Sequence, residues 1–285
     1  MANRSVNEAV HYIVRASVLA AFAYFVVYLV RTDNLELYIA PRMQFIVKLA
    51  ALGMYAIAAQ QLYAAIRIGL DGRAAHAEGC CDEHGHEHAM PASWRSSLLL
   101  YGWFALPLAL AFAVPDGLLG SAMASAKGVQ FSSQRIVMPE SPSDPFLRSF
   151  AAYGRQLSAQ DPVRVTDERF IETLTTLDSY RSAFVGKTVQ VEGFVFRERG
   201  MDNRQFGATR FAVSCCSADA YPYGVLVRSD HAAALETNEW VSITGTLSTT
   251  VYDGEDVIQI DALRILRIPV PDEPYVSPDL NFGPE

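Results

Sequence analysis

The chain has 285 residues, of which 51% are hydrophobic and 19% charged, and it carries a net charge of −8. That length accommodates two units of ordinary domain size, and the apolar content exceeds that of a typical soluble protein. The acidic balance argues against general affinity for nucleic acid, which rests on Lys and Arg neutralising phosphates; the adjacent pairs Cys80–Cys81 and Cys215–Cys216 lack the spaced partners of a disulfide framework.

The apolar residues concentrate before residue 116. Three stretches there have the length to span roughly 30 Å of hydrocarbon at 1.5 Å per residue. They run from about Tyr12 to Val30, Met43 to Ile66 and Leu98 to Val114, the last with Pro107, which a membrane helix tolerates. The first lacks a small-residue cleavage site and a second span follows at once, so it reads as an uncleaved anchor and not a signal peptide. In a three-span arrangement Arg4, Arg15, Arg67, Arg73 and Arg95 flank one side, and Arg31, Arg42 and Lys48 the other. The positive-inside rule then puts the N-terminus and second loop in the cytoplasm and the C-terminal domain outside, as in a multi-pass inner-membrane protein. Arg15 and Lys48 are close enough to helix ends to snorkel.

Between the second and third stretches, residues 79–88 pack Cys80, Cys81, His84, His86 and His88 beside Asp82, Glu83 and Glu87. Thiolate and imidazole suit zinc and other divalent transition metals, and the carboxylates can complete a shell. The spacing is not that of a zinc finger. It suits a capture tract ordered by its ion.

Residues 117–165 read as a linker, small, polar and Pro-containing, with a short helix around Phe146–Leu157. Residues 166–285 read as a soluble, mainly β domain. Thr166 precedes Asp167 and Glu168 as a helix cap, and Phe170, Leu174, Leu177 and Tyr180 recur at helical spacing. Strands are predicted at Thr188–Phe196, Arg210–Cys215, Gly224–Arg228, Trp240–Leu247 and Asp256–Leu266, with an Asp253-Gly254 turn and a bulge or bend at Gly193. Five short strands, the first bent, suggest an OB-like barrel. The predicted fold class is thus three transmembrane helices plus an OB-like domain preceded by a helix. A second candidate metal or redox site is Cys215-Cys216-Ser217-Ala218-Asp219. Strand parity with Phe211 and Val213 turns Cys215 inward and Cys216 outward, so the two thiols address one ion only if the strand ends or bulges there. The alternative is a packed pair of small residues.

Four stretches carry a resemblance to a known family: Leu37–Met43, the His-rich loop, Arg210–Asp219 and Asp272–Val276. The chain resembles the YcgQ-like family of two-component permease subunits, bacterial membrane proteins that carry a Cys-x-Ala-Asp motif matched here by Cys216–Asp219. The resemblance implies a larger multi-span permease subunit as partner and, more loosely, a role in handling a transition metal such as zinc; it brings no catalytic residue. The expectation is therefore a non-enzymatic accessory subunit of a membrane permease complex. Its rivals are a membrane-anchored thiol redox protein using Cys215 and Cys216, although C-x-x-C is absent, and an assembly factor that binds no metal.

Overall fold

In a computed structural model of the chain, the described residues are 2–71, 94–131 and 144–283. The Cys80–His88 tract, with Cys81, Asp82, Glu83, His84, His86 and Glu87, lies outside them. The chain divides into two compact units. One comprises Met1–Leu35 and Pro41–Asp116, the other Glu36–Ala40 and Gly117–Glu285.

The first unit is helical: α1 (Ala2–Arg31), α2 (Pro41–Asp71) and α3 (Trp94–Ala113). The segments Glu8–Arg31 and Pro41–Ile68 are long and apolar enough to cross a membrane; the apolar run in α3, Leu99–Ala113, is shorter and contains Pro107. Small residues line much of the inner faces of the first two helices, Ala16 and Ala23 in α1 and Ala51, Ala58 and Ala65 in α2, with Leu29 and Ile68 buried toward the helix ends. The seven-residue spacing of the alanines keeps one seam facing its neighbour over several turns and lets the backbones approach closely. Large apolar side chains point the other way: Phe45 is 71% exposed, Leu52 67% and Trp103 78%. His11 and Tyr101 hydrogen-bond at 2.9 Å, and Asn34 donates to Asp116 at 2.8 Å. Lys48 donates to Gln44 one turn earlier, at 3.3 Å. Arg15 borders a largely apolar cavity of about 500 Å³ together with Phe22, Gln61 and Tyr101.

The second unit is mostly sheet. Among the described residues its helices are α4 (Ser121–Lys127), α5 (Pro145–Ser158), α6 (Phe170–Ser179) and the single turn α7 (Arg181–Phe184). Its strands are β1 (Val163–Arg164), β2 (Thr188–Phe196), β3 (Gln205–Ala212), β4 (Tyr221–Arg228), β5 (Trp240–Tyr252) and β6 (Glu255–Arg267). They pair in the order β1-β2-β3-β4-β6-β5, and β2 also pairs with β5. The β4–β6 pairing is parallel, and β2 is antiparallel to both β3 and β5. Asp253 and Gly254 both take positive φ, 50° and 79°, which joins β5 to β6 through a tight turn whose twist suits the hairpin.

Alternation in the first half of β2 is as predicted, with Val189 and Val191 buried and Gln190 and Glu192 less so; from Gly193 to Phe196 every residue is buried. Gly193 sits where β2 begins to pair with β3. A Cβ there would lie 2.8 Å from the backbone N and O of Thr209, so the glycine permits close strand approach. The β2–β5 register runs through Gly193 unbroken; the register shift lies instead between Thr244 and Gly245, in the β5–β6 pair.

Residues expected to be connector contribute to this unit. Phe131 is buried, and its ring lies over Gly207 and Gly224, where a Cβ would meet it at 2.7 and 3.3 Å. Gln130 N–H donates to the Pro222 carbonyl at 3.0 Å. Helix α6 buries Phe170, Leu174 and Leu177, the predicted face, against the sheet core. Thr166 stands at the N-cap of the short turn Asp167–Arg169, without a side-chain cap bond.

Candidate functional site

The site is built where three separate sequence segments meet. Strand β3 ends at Ala212, and its continuation pairs with the C-terminal tail. Val213 N–H donates to Val276 O at 2.8 Å, and Val276 N–H to Phe211 O at 2.9 Å. The Ser277 hydroxyl donates to Val213 O at 3.0 Å. Beyond Val213 the chain turns away, and the turn is closed on the other side by the connection between α1 and α2. Ala40 N–H donates to Cys215 O at 3.1 Å, Ser217 N–H to Tyr38 O at 2.8 Å, and Ile39 bridges Cys216 in antiparallel sense. Ala40 is buried in one cluster with Phe194, Phe211, Val213, Ala220 and Trp240. Thus Leu37–Ala40, Arg210–Asp219 and Glu273–Val276 form one structural junction.

Asp219 organises the turn. Its carboxylate accepts the N–H of Ser214 at 3.0 Å and of Cys215 at 2.7 Å, while its own N–H donates to Cys216 O at 3.0 Å. Partial desolvation works against its charge. The hydrogen bonds from the Cys215 thiol and from the backbone of Cys215, Ser214 and Cys216 outweigh it and hold the carboxyl below the usual range. The same contact acts oppositely on sulfur. The Asp219 carboxylate, then the neighbouring Cys216, push the Cys215 thiol up to about 11.

Strand parity does not reach the cysteines. Cys215 is exposed and Cys216 half-buried, the reverse of an inward Cys215, because regular strand geometry stops at Ala212, before either cysteine. Freed from strand alternation, the two sulfurs lie 3.6 Å apart. Lys127 of α4 donates to the carbonyls of Ala218 and Ala220 and so satisfies acceptors of the turn. Neither Lys127 nor Tyr38 has a local sequence signal that ties it to this place. Among the described residues no group of three or more His, Cys, Asp or Glu side chains is arranged to hold a metal ion.

Beneath the junction lies Arg210, fully buried. Its guanidinium pairs with Asp167, donates to the Glu273 carbonyl, and lies 5.4 Å from the Trp240 ring centroid and 5.9 Å from that of Phe170. Burial lowers its pKa, and the Asp167 carboxylate opposes that shift. Arg210 thus locks the α6 entry, β3 and the C-terminal tail together, a role strand alternation did not disclose.

Comparison with known proteins covers most of the chain. Residues 14–130 match the DUF1980 N-terminal domain and residues 143–278 the DUF1980 C-terminal domain. The chain is 25% identical over 195 residues to the UPF0703 protein YcgQ of Bacillus subtilis (strain 168), covering 62% of this chain and 68% of that protein. A small single-stranded DNA-binding protein from Streptomyces coelicolor aligns at 16% identity over 29% of this chain and 94% of its own, with a TM-score of 0.19, too low to bear on fold or function. Both domain matches lie in order and together cover most of the chain; the chain belongs to the YcgQ-like family.

Proposed function

We propose that the chain is a non-enzymatic accessory subunit of a larger multi-span permease complex in the inner membrane, presenting a transition-metal cargo of zinc type. In this reading α1, α2 and α3 all cross the bilayer. The Cys80–His88 tract collects metal on the cytoplasmic side, and the sheet unit stands outside with the Cys215–Asp219 turn as its contact point.

The observation that carries the membrane arrangement is that Glu36–Ala40 and Gly117–Glu285 belong to one compact unit. Both ends of the α2–α3 passage are therefore on one side. If α2 crosses, the chain must cross back before Gly117, and α3, a 20-residue helix with the shorter apolar run Leu99–Ala113, is the segment this reading assigns to that crossing. The N-terminus then falls opposite the sheet unit, in agreement with the Arg distribution. Outward-facing Phe45, Leu52 and Trp103 support lipid contact, since a soluble core helix would bury such residues. Strands β2 to β6 pair in the sequence β2-β3-β4-β6-β5 and return to β2, which supports the OB-like reading.

The redox rival is disfavoured at Cys215. Catalytic thiols have lowered pKa values, whereas the Asp219 contact raises this one to about 11. The test of the subunit reading is affinity purification from native membranes with partner identification and metal analysis. The expected result is a stoichiometric multi-span protein that is lost when the Cys215–Asp219 turn is replaced by a Gly/Ser loop. Recovery of the chain alone, with no membrane partner under gentle solubilisation, contradicts it.

A further inference from the structure

We infer that Cys215 and Cys216 together form an open, two-thiolate chelate for a single thiophilic cation of tetrahedral preference, the divalent zinc class. This deepens the cargo reading above and rests on it for the biological role alone.

Three observations carry it. The first is reach. Adjacent residues of a regular strand point to opposite faces, but β3 ends at Ala212 and the sulfurs of the pair come within 3.6 Å of each other. The second is bite. With metal–sulfur bonds of about 2.3 Å, sulfurs 3.6 Å apart subtend roughly 100° at the ion. That is near the tetrahedral angle and far from the straight S–M–S arrangement that a two-coordinate monovalent ion takes. The third is preorganisation. The backbone on each side of the pair is already fixed by Asp219, Tyr38 and Ala40, so binding has little chain to order.

The ligand count gives the site its character. Both Asp219 oxygens accept backbone N–H groups, which casts that residue as the positioning group of the turn. Two coordination positions are left for water or for donors of another molecule. Closed four-ligand shells hold structural zinc, whereas sites with open positions exchange ligands. A two-thiolate site with open positions, one of its cysteines exposed, therefore suits receipt and release of an ion. On binding, each S–H bond breaks heterolytically, two protons leave to solvent and two metal–sulfur bonds form, with no change of oxidation state.

The experiment uses the full-length chain in detergent, reduced, with Cys80→Ser and Cys81→Ser so that Cys215 and Cys216 are the remaining thiols. Cadmium, a spectroscopically active ion of the same class, is titrated in, and the ultraviolet thiolate-to-metal charge-transfer band is followed. The expected band saturates at one ion per chain with two protons released. Cys215→Ser and Cys216→Ser should each lose about half the amplitude and weaken binding roughly tenfold or more, and Asp219→Asn should weaken binding while keeping full amplitude at saturation. No band, a full band from either cysteine alone, or saturation at one ion per two chains overturns the chelate. If the chelate forms but the Cys215→Ser/Cys216→Ser protein still recovers its partner from native membranes, the chelate stands and the reading of this turn as the contact point fails.

Discussion

Asp219 touches the thiol of Cys215 and the backbone of three residues, so its replacement separates sulfur chemistry from turn stability. Its carboxyl is held below the unfolded value near 3.9; the stabilisation it gives is present above that pH and is lost as pH falls through the lower folded value. The Cys215 thiol is shifted the other way. Its contribution is complete below the ordinary value of 9.0 and is lost as pH rises through about 11. Alkylation of Cys215, followed by mass spectrometry across pH, should therefore have its midpoint near 11 and move down toward 9 in Asp219→Asn, with a rate at pH 8 at least about tenfold higher. An unchanged profile would remove the Asp219–thiol contact. Because Cys215 is exposed, Cys215→Ser should leave the melting temperature of the chain essentially unchanged. Arg210 is the contrasting case. Asp167→Ala leaves a buried guanidinium without its counter-charge, and thermal unfolding should show a loss of about 2 kcal/mol. That is below the 3–5 kcal/mol typical of fully buried pairs, because Asp167 is half exposed.

Among the elements, those with a strong internal period were legible and those defined by a partner were not. The alternation of Val189 and Val191, the helical recurrence of Phe170, Leu174 and Leu177, and the Asp253-Gly254 turn each announce a local geometry, and the structure has them. Strand β1 is two residues long and exists through its pairing with Val189 and Gln190, so no pattern could reveal it. Arg210 lies in a strand covered on both faces, where alternation carries no information about which side chain is wet. Strand β3 ends earlier than its alternation predicts for a related reason. Apolar Val213 and Cys215 extend the alternation, but the hydrogen bonds that would extend the ladder go to Val276. Close strand approach at Gly193 gives a prediction at this scale. Gly193→Ala would set a methyl group 2.8 Å from the Thr209 backbone and should cost about 1–3 kcal/mol, read as a lower melting temperature. A Gly193→Ala protein as stable as the wild type would mean that β2 and β3 are further apart.

For the molecule as a whole, composition located the apolar half and periodicity the sheet half, but neither could show that five residues between two helices belong to the distant sheet unit. That fact depends on long-range backbone pairs, Tyr38 with Ser217 and Ala40 with Cys215, which leave no trace in local pattern. The family resemblance marked the same segments without saying that they meet. Their meeting is the observation on which the proposed membrane arrangement rests. The most direct test places single cysteines in a cysteine-free background and labels intact cells with a membrane-impermeant maleimide. Glu36→Cys, Glu255→Cys and Gly85→Cys sample the α1–α2 connection, the sheet unit and the His/Cys tract. Labelling of the first two from outside, with the third reacting only after permeabilisation, is the predicted result. Glu36→Cys and Glu255→Cys reacting from opposite sides, or Gly85→Cys reacting together with them, would contradict the account.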